Sequence, residues 1–363
     1  MSAGPIPRPG ILDIAPYVSG GNQVKDVGKL MQLSSNEGAL GPSPAAMQAL
    51  KDMAGELHRY PDGGSTKIRQ AISKTYGVPY EQIVCGAGSD ELIALLLKSY
   101  CGPGDEVLYS QHGFLMYPIG AKSVGATPVT ATETNLRTDV DAMLAAVTPK
   151  TRVVFVANPN NPTGSYITPQ EMRRLHAGLR PDIILVIDAA YAEYVSKNDY
   201  TSGSELVDEF ENVVMMRTLS KIYALAALRL GWAYASAPIA DVLNRVRGPF
   251  NVSLAAQVAG EAAVLDQKFV GDSRAHNDKW LPWVSEQLTA LGLTCAPSVT
   301  NFLLVRFPDG TKNADAAWAY LAERGILIRK MTAYGLGHSL RITIGAEDEV
   351  KATVDAIRTF LKG

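Results

Sequence analysis

Apolar residues recur along this chain in two rhythms, and the switch between them marks out the elements. Over residues 44–57 they fall at Ala46, Met47, Leu50, Met53, Ala54 and Leu57, the spacing of one helix face. Residues 65–76 read as a second helix stopped by Gly77. A third covers 89–100, apolar at Leu92, Ile93, Leu95, Leu96 and Leu97. Its first turn holds Asp90 and Glu91, where acids suit the positive end of the helix dipole. Short, nearly unbroken apolar runs then appear at 106–109, 153–157, 183–187 and 213–216, the pattern of strands covered on both faces. With helical stretches between several of them, such as 169–179, they predict an α/β fold built on a mostly parallel sheet.

The last third changes character. A long helical stretch over 266–291 leads to a strand at 301–307, a helix at 313–324, strands at 326–330 and 339–344, and a last helix at 348–361. The expected organisation is an irregular N-terminal arm (1–35), a large domain (36–265) and a smaller α+β domain (266–363).

Composition narrows the classes. In 363 residues, 47% are hydrophobic and 19% charged, as in a chain with a sizeable core. Lys and Arg total 34 against 36 Asp and Glu, without the basic excess of a nucleic-acid binder. The three cysteines, Cys85, Cys101 and Cys295, form no CxxC pair and suggest a reducing compartment. The Pro- and Gly-rich start has no apolar core of a signal peptide, and no apolar stretch is long enough to span a bilayer. A cytoplasmic protein is expected. The five histidines have no metal-ligand spacing, and His176 and His276 are expected on the solvent faces of helices.

Candidate chemistry gathers at strand ends, where ligands bind in open α/β sheets. The run 153–157 leads into Asn158-Pro-Asn-Asn161-Pro-Thr-Gly164, the run 183–187 into Asp188-Ala-Ala-Tyr191, and the run 213–216 into Arg217-Thr218-Leu-Ser220-Lys221. Each segment alone reads as turn chemistry, a helix cap or a solvated charge. Together they bring an amide, a carboxylate, a phenol and an amine towards one cleft.

With these segments stand Ser35-Asn36-Glu37, Arg59-Tyr60-Pro61-Asp62, Gly86-Ala-Gly88-Ser89-Asp90-Glu91, Leu228-Arg229-Leu-Gly-Trp232, Gly325-Ile-Leu-Ile-Arg329 and Leu340-Arg341-Ile-Thr-Ile-Gly345. In these segments the chain resembles fold-type I pyridoxal-phosphate enzymes, and among them the histidinol-phosphate aminotransferase family, over essentially its whole length. The resemblance implies pyridoxal 5'-phosphate as cofactor, bonded through its aldehyde to Lys221, with Asp188 at the ring nitrogen. It places Asn161 and Tyr191 at the ring's phenolic oxygen and Phe114 on the ring face. Ser89, Asp90, Thr218, Ser220 and Arg229 are the implied phosphate contacts, the first two through the N–H groups of a helix start. Tyr60 is implied to enter the site of a neighbouring subunit in a homodimer.

Arg341 and Arg329 are the implied anion-binding residues, since a guanidinium fork grips a carboxylate or a phosphate with two hydrogen bonds. Asn36 and Tyr17 are further candidate substrate contacts. The implied reaction joins L-histidinol phosphate and 2-oxoglutarate to give imidazole acetol phosphate and L-glutamate. An aromatic-amino-acid aminotransferase on the same scaffold is the alternative, and a phosphothreonine decarboxylase is a further one. A transcription regulator would need a DNA-binding segment in the arm, which has no helical pattern. The chain departs from the family at Gly38 and Ala39, where Asn and Pro are common, at Ala189, and at Ala224 and Ala227, where glycines are common.

Overall fold

A computed structural model describes residues 6–16 and 30–363. Among the described residues, fourteen strands run β1 (Met31–Leu33), β2 (Ile83–Gly86), β3 (Glu106–Ser110), β4 (Thr127–Ala131), β5 (Glu133–Thr134), β6 (Arg137–Thr138), β7 (Thr151–Ala157), β8 (Ile184–Asp188), β9 (Val213–Thr218), β10 (Gly231–Ala235), β11 (Thr294–Cys295), β12 (Phe302–Arg306), β13 (Ile326–Lys330) and β14 (Ser339–Thr343). The helices are α1 (Pro44–Met53), α2 (Thr66–Tyr76), α3 (Ser89–Tyr100), α4 (Met116–Val124), α5 (Val140–Ala145), α6 (Pro169–Ala177), α7 (Ser204–Glu209), α8 (Ala237–Val246), α9 (Leu254–Leu265), α10 (Gln267–Ala290), α11 (Ala314–Ala322) and α12 (Glu347–Lys362).

Seven strands form the large sheet in the order β2-β10-β9-β8-β7-β3-β4. The five from β9 to β4 are parallel, and β10 lies antiparallel to both its neighbours. Alternate residues of one strand serve opposite cores, as the pleat requires. Leu185 and Ile187 join the cluster that includes α2, α6 and α9 residues. Ile184 and Val186 join the one holding Leu92, Leu96 and Tyr117 of α3 and α4. This two-sided burial is why the strands read as unbroken apolar runs.

Sequence punctuation sets the helix ends. Ser43 caps α1 through Ala46 N–H, with Pro44 in the first turn, and the helix passes at Met53 into a short 3-10 turn instead of continuing to Leu57. Gly77 closes α2 in the left-handed conformation at φ 69°. Thr168 and Glu171 form a reciprocal capping box on α6.

The smaller sheet runs β1-β13-β14-β12-β11 and packs under α10, α11 and α12. Its edge corrects one expectation. Residues 31–33, assigned to an irregular arm, form β1 and pair in parallel with Ile326–Ile328 of β13. Three residues carry too little periodicity to announce a strand whose partner lies near the other end of the chain. His176 and His276 lie on α6 and α10 as expected, only partly exposed. Both are half-buried, with His176 Nε2 3.0 Å from Asn212 Oδ1 and His276 Nε2 2.9 Å from the Gly345 carbonyl. Among the described residues, no helix is long and apolar enough to cross a membrane.

Behind the β9 strand end lies a charged cluster in the core. Arg217 Nη1 donates to Glu193 Oε1 at 3.0 Å, Tyr76 Oη donates to the same oxygen at 3.0 Å, and the guanidinium sits 4.4 Å from the Tyr76 ring centre. Side-chain exposures of 11% and 5% make this a buried pair. Removing one partner strands the other charge in a dry site. Glu193→Gln is expected to destabilise the protein by about 3–5 kcal/mol, read as a lower urea midpoint at unchanged slope. The double replacement Glu193→Leu with Arg217→Met is expected to recover most of that loss.

Candidate active site

The carboxyl ends of β7, β8 and β9 open into one cavity of about 250 Å³, closed from the other side by β13 and β14. Its lining brings together Asn36, Ser89, Asp90, Phe114, Asn161, Asp188, Tyr191, Thr218, Ser220, Lys221, Arg229, Arg329 and Arg341. Two expected residues are not among them. Tyr60 is 82% exposed and stacks on Phe250 at 4.6 Å, away from the cavity. Tyr17 lies outside the described residues.

Asp188 ends β8 with 5% exposure. Its Oδ2 accepts from Tyr117 Oη at 2.8 Å, and Oδ1 has no hydrogen-bond partner in the described structure. Burial pushes this carboxyl up to about 6, while the Tyr117 hydroxyl, the Ala190 N–H and Lys221 favour the charged form and Asp90 opposes it. Such a buried carboxylate with a spare oxygen suits a ligand that brings its own N–H.

Lys221 follows β9, and its Nζ donates to the Ser35 carbonyl at 2.9 Å, 5.7 Å from the Tyr191 ring centre. Tyr191 Oη accepts from Asn36 Nδ2 at 2.8 Å. Asn36 sits at φ 62°, a conformation that asparagine tolerates, and is tied to Thr343 of β14 through its N–H and its Oδ1.

At the other end of the cavity α3 begins at Ser89 after Gly88, whose φ of 83° favours glycine. A Cβ on Gly88 would sit 2.5 Å from Arg229 Nη2. On Gly231 it would sit 2.6 Å from the Ser89 nitrogen. Bare backbone is therefore what lets β10 and the Arg229 side chain approach the helix start. Arg229 Nη2 donates to Asp90 Oδ2 at 3.0 Å and Nη1 lies 3.4 Å from Ser220 Oγ; Thr218 Oγ1 donates to Ser220 Oγ at 3.0 Å. N–H groups of a helix start, two hydroxyls and a guanidinium are the donors and charge that a phosphate-sized anion would need.

Arg341 and Arg329 face each other across β14 and β13, with exposures of 5% and 9%. Arg341 Nη2 donates to the Ser34 carbonyl at 2.7 Å, and Nη1 donates to Asn161 Oδ1. The small-sheet arginine thus touches both the β7 loop and the segment after β1. The cofactor expected from the sequence fits: an amine for its aldehyde, a carboxylate with a spare oxygen for its ring nitrogen, and the helix start with Arg229 for its phosphate.

Departures from the family pattern prove to be coupled. A Cβ on Gly38 would lie 2.8 Å from the Ala224 Cβ and 3.0 Å from the Lys221 carbonyl. Ala224 itself holds φ 53°, where glycine is usual. The missing side chain at 38 makes room for the methyl at 224. Ala189 is fully buried in the core, where a glutamate would need a partner.

Sequence reading missed Tyr117 and Tyr334. Tyr334 lines the cavity from the β13–β14 connection, and its carbonyl meets His112 Nδ1 at 2.7 Å. Both are buried aromatics at helix spacing or in a short loop, indistinguishable in sequence from core residues.

Residues 28–357 match the family of class I and II aminotransferases. The histidinol-phosphate aminotransferase of Paramagnetospirillum magneticum is 58% identical over 358 residues, 98% of this chain and 99% of the relative. That of Rhodospirillum centenum is 55% identical over 361 residues, covering 99% and 100%. The crystal structure of histidinol-phosphate aminotransferase from Sinorhizobium meliloti in complex with pyridoxal-5'-phosphate superposes with a TM-score of 0.91 at 25% identity, covering 99% of each chain. The chain therefore belongs to the class I and II aminotransferases, within the histidinol-phosphate aminotransferase family.

Proposed function

We propose that this protein uses pyridoxal phosphate to transfer the amino group of L-histidinol phosphate to 2-oxoglutarate, giving imidazole acetol phosphate and L-glutamate. The observation that carries the reading is one cavity holding the Lys221 amine, the Asp188 carboxylate and two buried strand arginines. Full-length relatives bearing the histidinol-phosphate name favour this substrate over an aromatic amino acid.

When bound, pyridoxal phosphate supplies an aldehyde for the substrate amine and a ring that draws electrons from the Cα–H bond. Lys221 Nζ would act in turn as base and acid, taking the substrate's Cα proton and returning it. Asp188 keeps the ring nitrogen protonated by accepting its N–H. Asn161 and Tyr191 hydrogen-bond the phenolic oxygen, Tyr191 held in place by Asn36, and Phe114 covers the ring face. Ser89, Asp90, Thr218, Ser220 and Arg229 bind the phosphate, Asp90 by its backbone and by fixing Arg229. Arg341 and Arg329 bind the substrate anion, a phosphate in one half-reaction and a carboxylate in the other. Tyr17 is a further substrate contact.

The same reading makes the protein a cytoplasmic homodimer whose exposed Tyr60 reaches the neighbouring subunit's site. It divides the chain into a large domain to residue 265 and a small domain from 266, preceded by the arm. The test is a single-turnover half-reaction followed by cofactor absorbance, with L-histidinol phosphate, L-tyrosine and L-phenylalanine compared. Conversion is expected to be at least about tenfold faster with histidinol phosphate, the discrimination that a few matched polar contacts give. Equal or faster conversion by the aromatic acids would reject the assignment.

A further inference from the structure

Tyr117 is wholly buried near the start of α4, yet it is a tyrosine where phenylalanine would fill the same space. A buried hydroxyl costs free energy unless it is bonded, and this one spends its proton on Asp188 Oδ2 at 2.8 Å. Its ring cannot easily swing. It stacks on Phe155 at 4.4 Å and 8°, and meets Phe114 and Tyr109 edge-on at 5.8 and 6.0 Å. One rigid ring therefore links the cavity's buried carboxylate to the aromatic that lines the cavity beside it.

We propose that Tyr117 is a positioning residue: its hydroxyl clamps one oxygen of Asp188 and so keeps the other aligned for the ring nitrogen of pyridoxal phosphate. The proposal rests on the cofactor reading above and extends it to a residue that does not line the cavity. The clamp has an electrostatic side as well. Titratable groups acting on Asp188 are Tyr117 from α4, Asp90 from α3 and Lys221 after β9. Tyr191 and Tyr334 act electrostatically on Tyr117 itself. Burial raises the carboxyl and the Tyr117 hydrogen bond lowers it, so losing that bond moves the carboxyl further up. Cofactor affinity that needs the carboxylate is complete above its pKa and falls as pH falls through it. In Tyr117→Phe this acid limb must begin at higher pH.

The experiment measures pyridoxal phosphate dissociation constants from neutral to mildly acidic pH. It uses the wild type, Tyr117→Phe, Asp188→Asn and the double variant, with thermal unfolding of each cofactor-free protein to confirm folding. Tyr117→Phe is expected to weaken binding about tenfold at neutral pH and to move the acid limb up by about one pH unit. In the Asp188→Asn background the same change is expected to do almost nothing, since the tyrosine acts through the carboxylate. An equal loss in both backgrounds, or an unmoved limb, would make Tyr117 a plain packing residue and overturn the proposal. If Asp188→Asn alone alters neither affinity nor cofactor absorbance, the ring-nitrogen assignment of Asp188 fails first and the proposal falls with it.

Discussion

Alanine at position 221 is expected to lower kcat by at least about 10³-fold while the protein still takes up pyridoxal phosphate. The described cavity lining holds no second lysine and no histidine. Its arginines cannot substitute, because a guanidinium stays charged and cannot accept the Cα proton. Binding is expected to survive because the proposed phosphate contacts at Ser89, Ser220 and Arg229 and the carboxylate at Asp188 do not depend on the amine. Absorbance of the bound cofactor separates the two effects. Steady-state turnover left intact in Lys221→Ala would remove this lysine from the chemistry.

Arg341→Lys is expected to lower kcat/KM by about 10²–10³ for histidinol phosphate and 2-oxoglutarate alike. The guanidinium reaches Asn161 and the Ser34 carbonyl with separate nitrogens while nearly buried. A lysine carries the charge as a single point and cannot hold both partners while gripping an anion bidentately. The loss should appear in KM for both substrates if, as proposed, one site serves the phosphate of the first and the carboxylate of the second. A rise for only one of them would mean that the two anions bind in different places.

Much of this site was legible because its residues follow strand ends. The apolar runs of β7, β8 and β9 are buried on both faces, so where each run breaks into Asn158–Asn161, Asp188–Tyr191 and Thr218–Lys221 the chain has reached the sheet's carboxyl edge. What was not legible depends on contacts between distant segments. Tyr117 looks like any apolar-face aromatic of a helix, and only its distance to Asp188 distinguishes it. Tyr334 owes its place to the connection that folds back over His112. Asn36 was recognisable as a candidate, but its bonds to Tyr191 and Thr343 join three regions that no local pattern relates. The Gly38 and Ala224 exchange, two unrelated oddities in the sequence, became one packing adjustment only when the two Cα positions were seen side by side.

The parallel pairing of β1 with β13 bears on the order in which the molecule can be built. Met31 and Ile326 are partners although roughly 295 residues separate them, so closing that loop carries one of the largest entropic costs in the chain. During synthesis the first strand leaves the ribosome long before its neighbour exists. Until Arg341 and Thr343 emerge, the segment carrying Ser34 and Asn36 lacks its β14 partners, and on the small-sheet side only Asn301, ahead of them, can bond it. The large sheet can gather its own core by then, but the reaction chamber stays unwalled on one side. A nascent chain that has made the whole large sheet thus still has an open cavity until Arg329 and Arg341 fold against it.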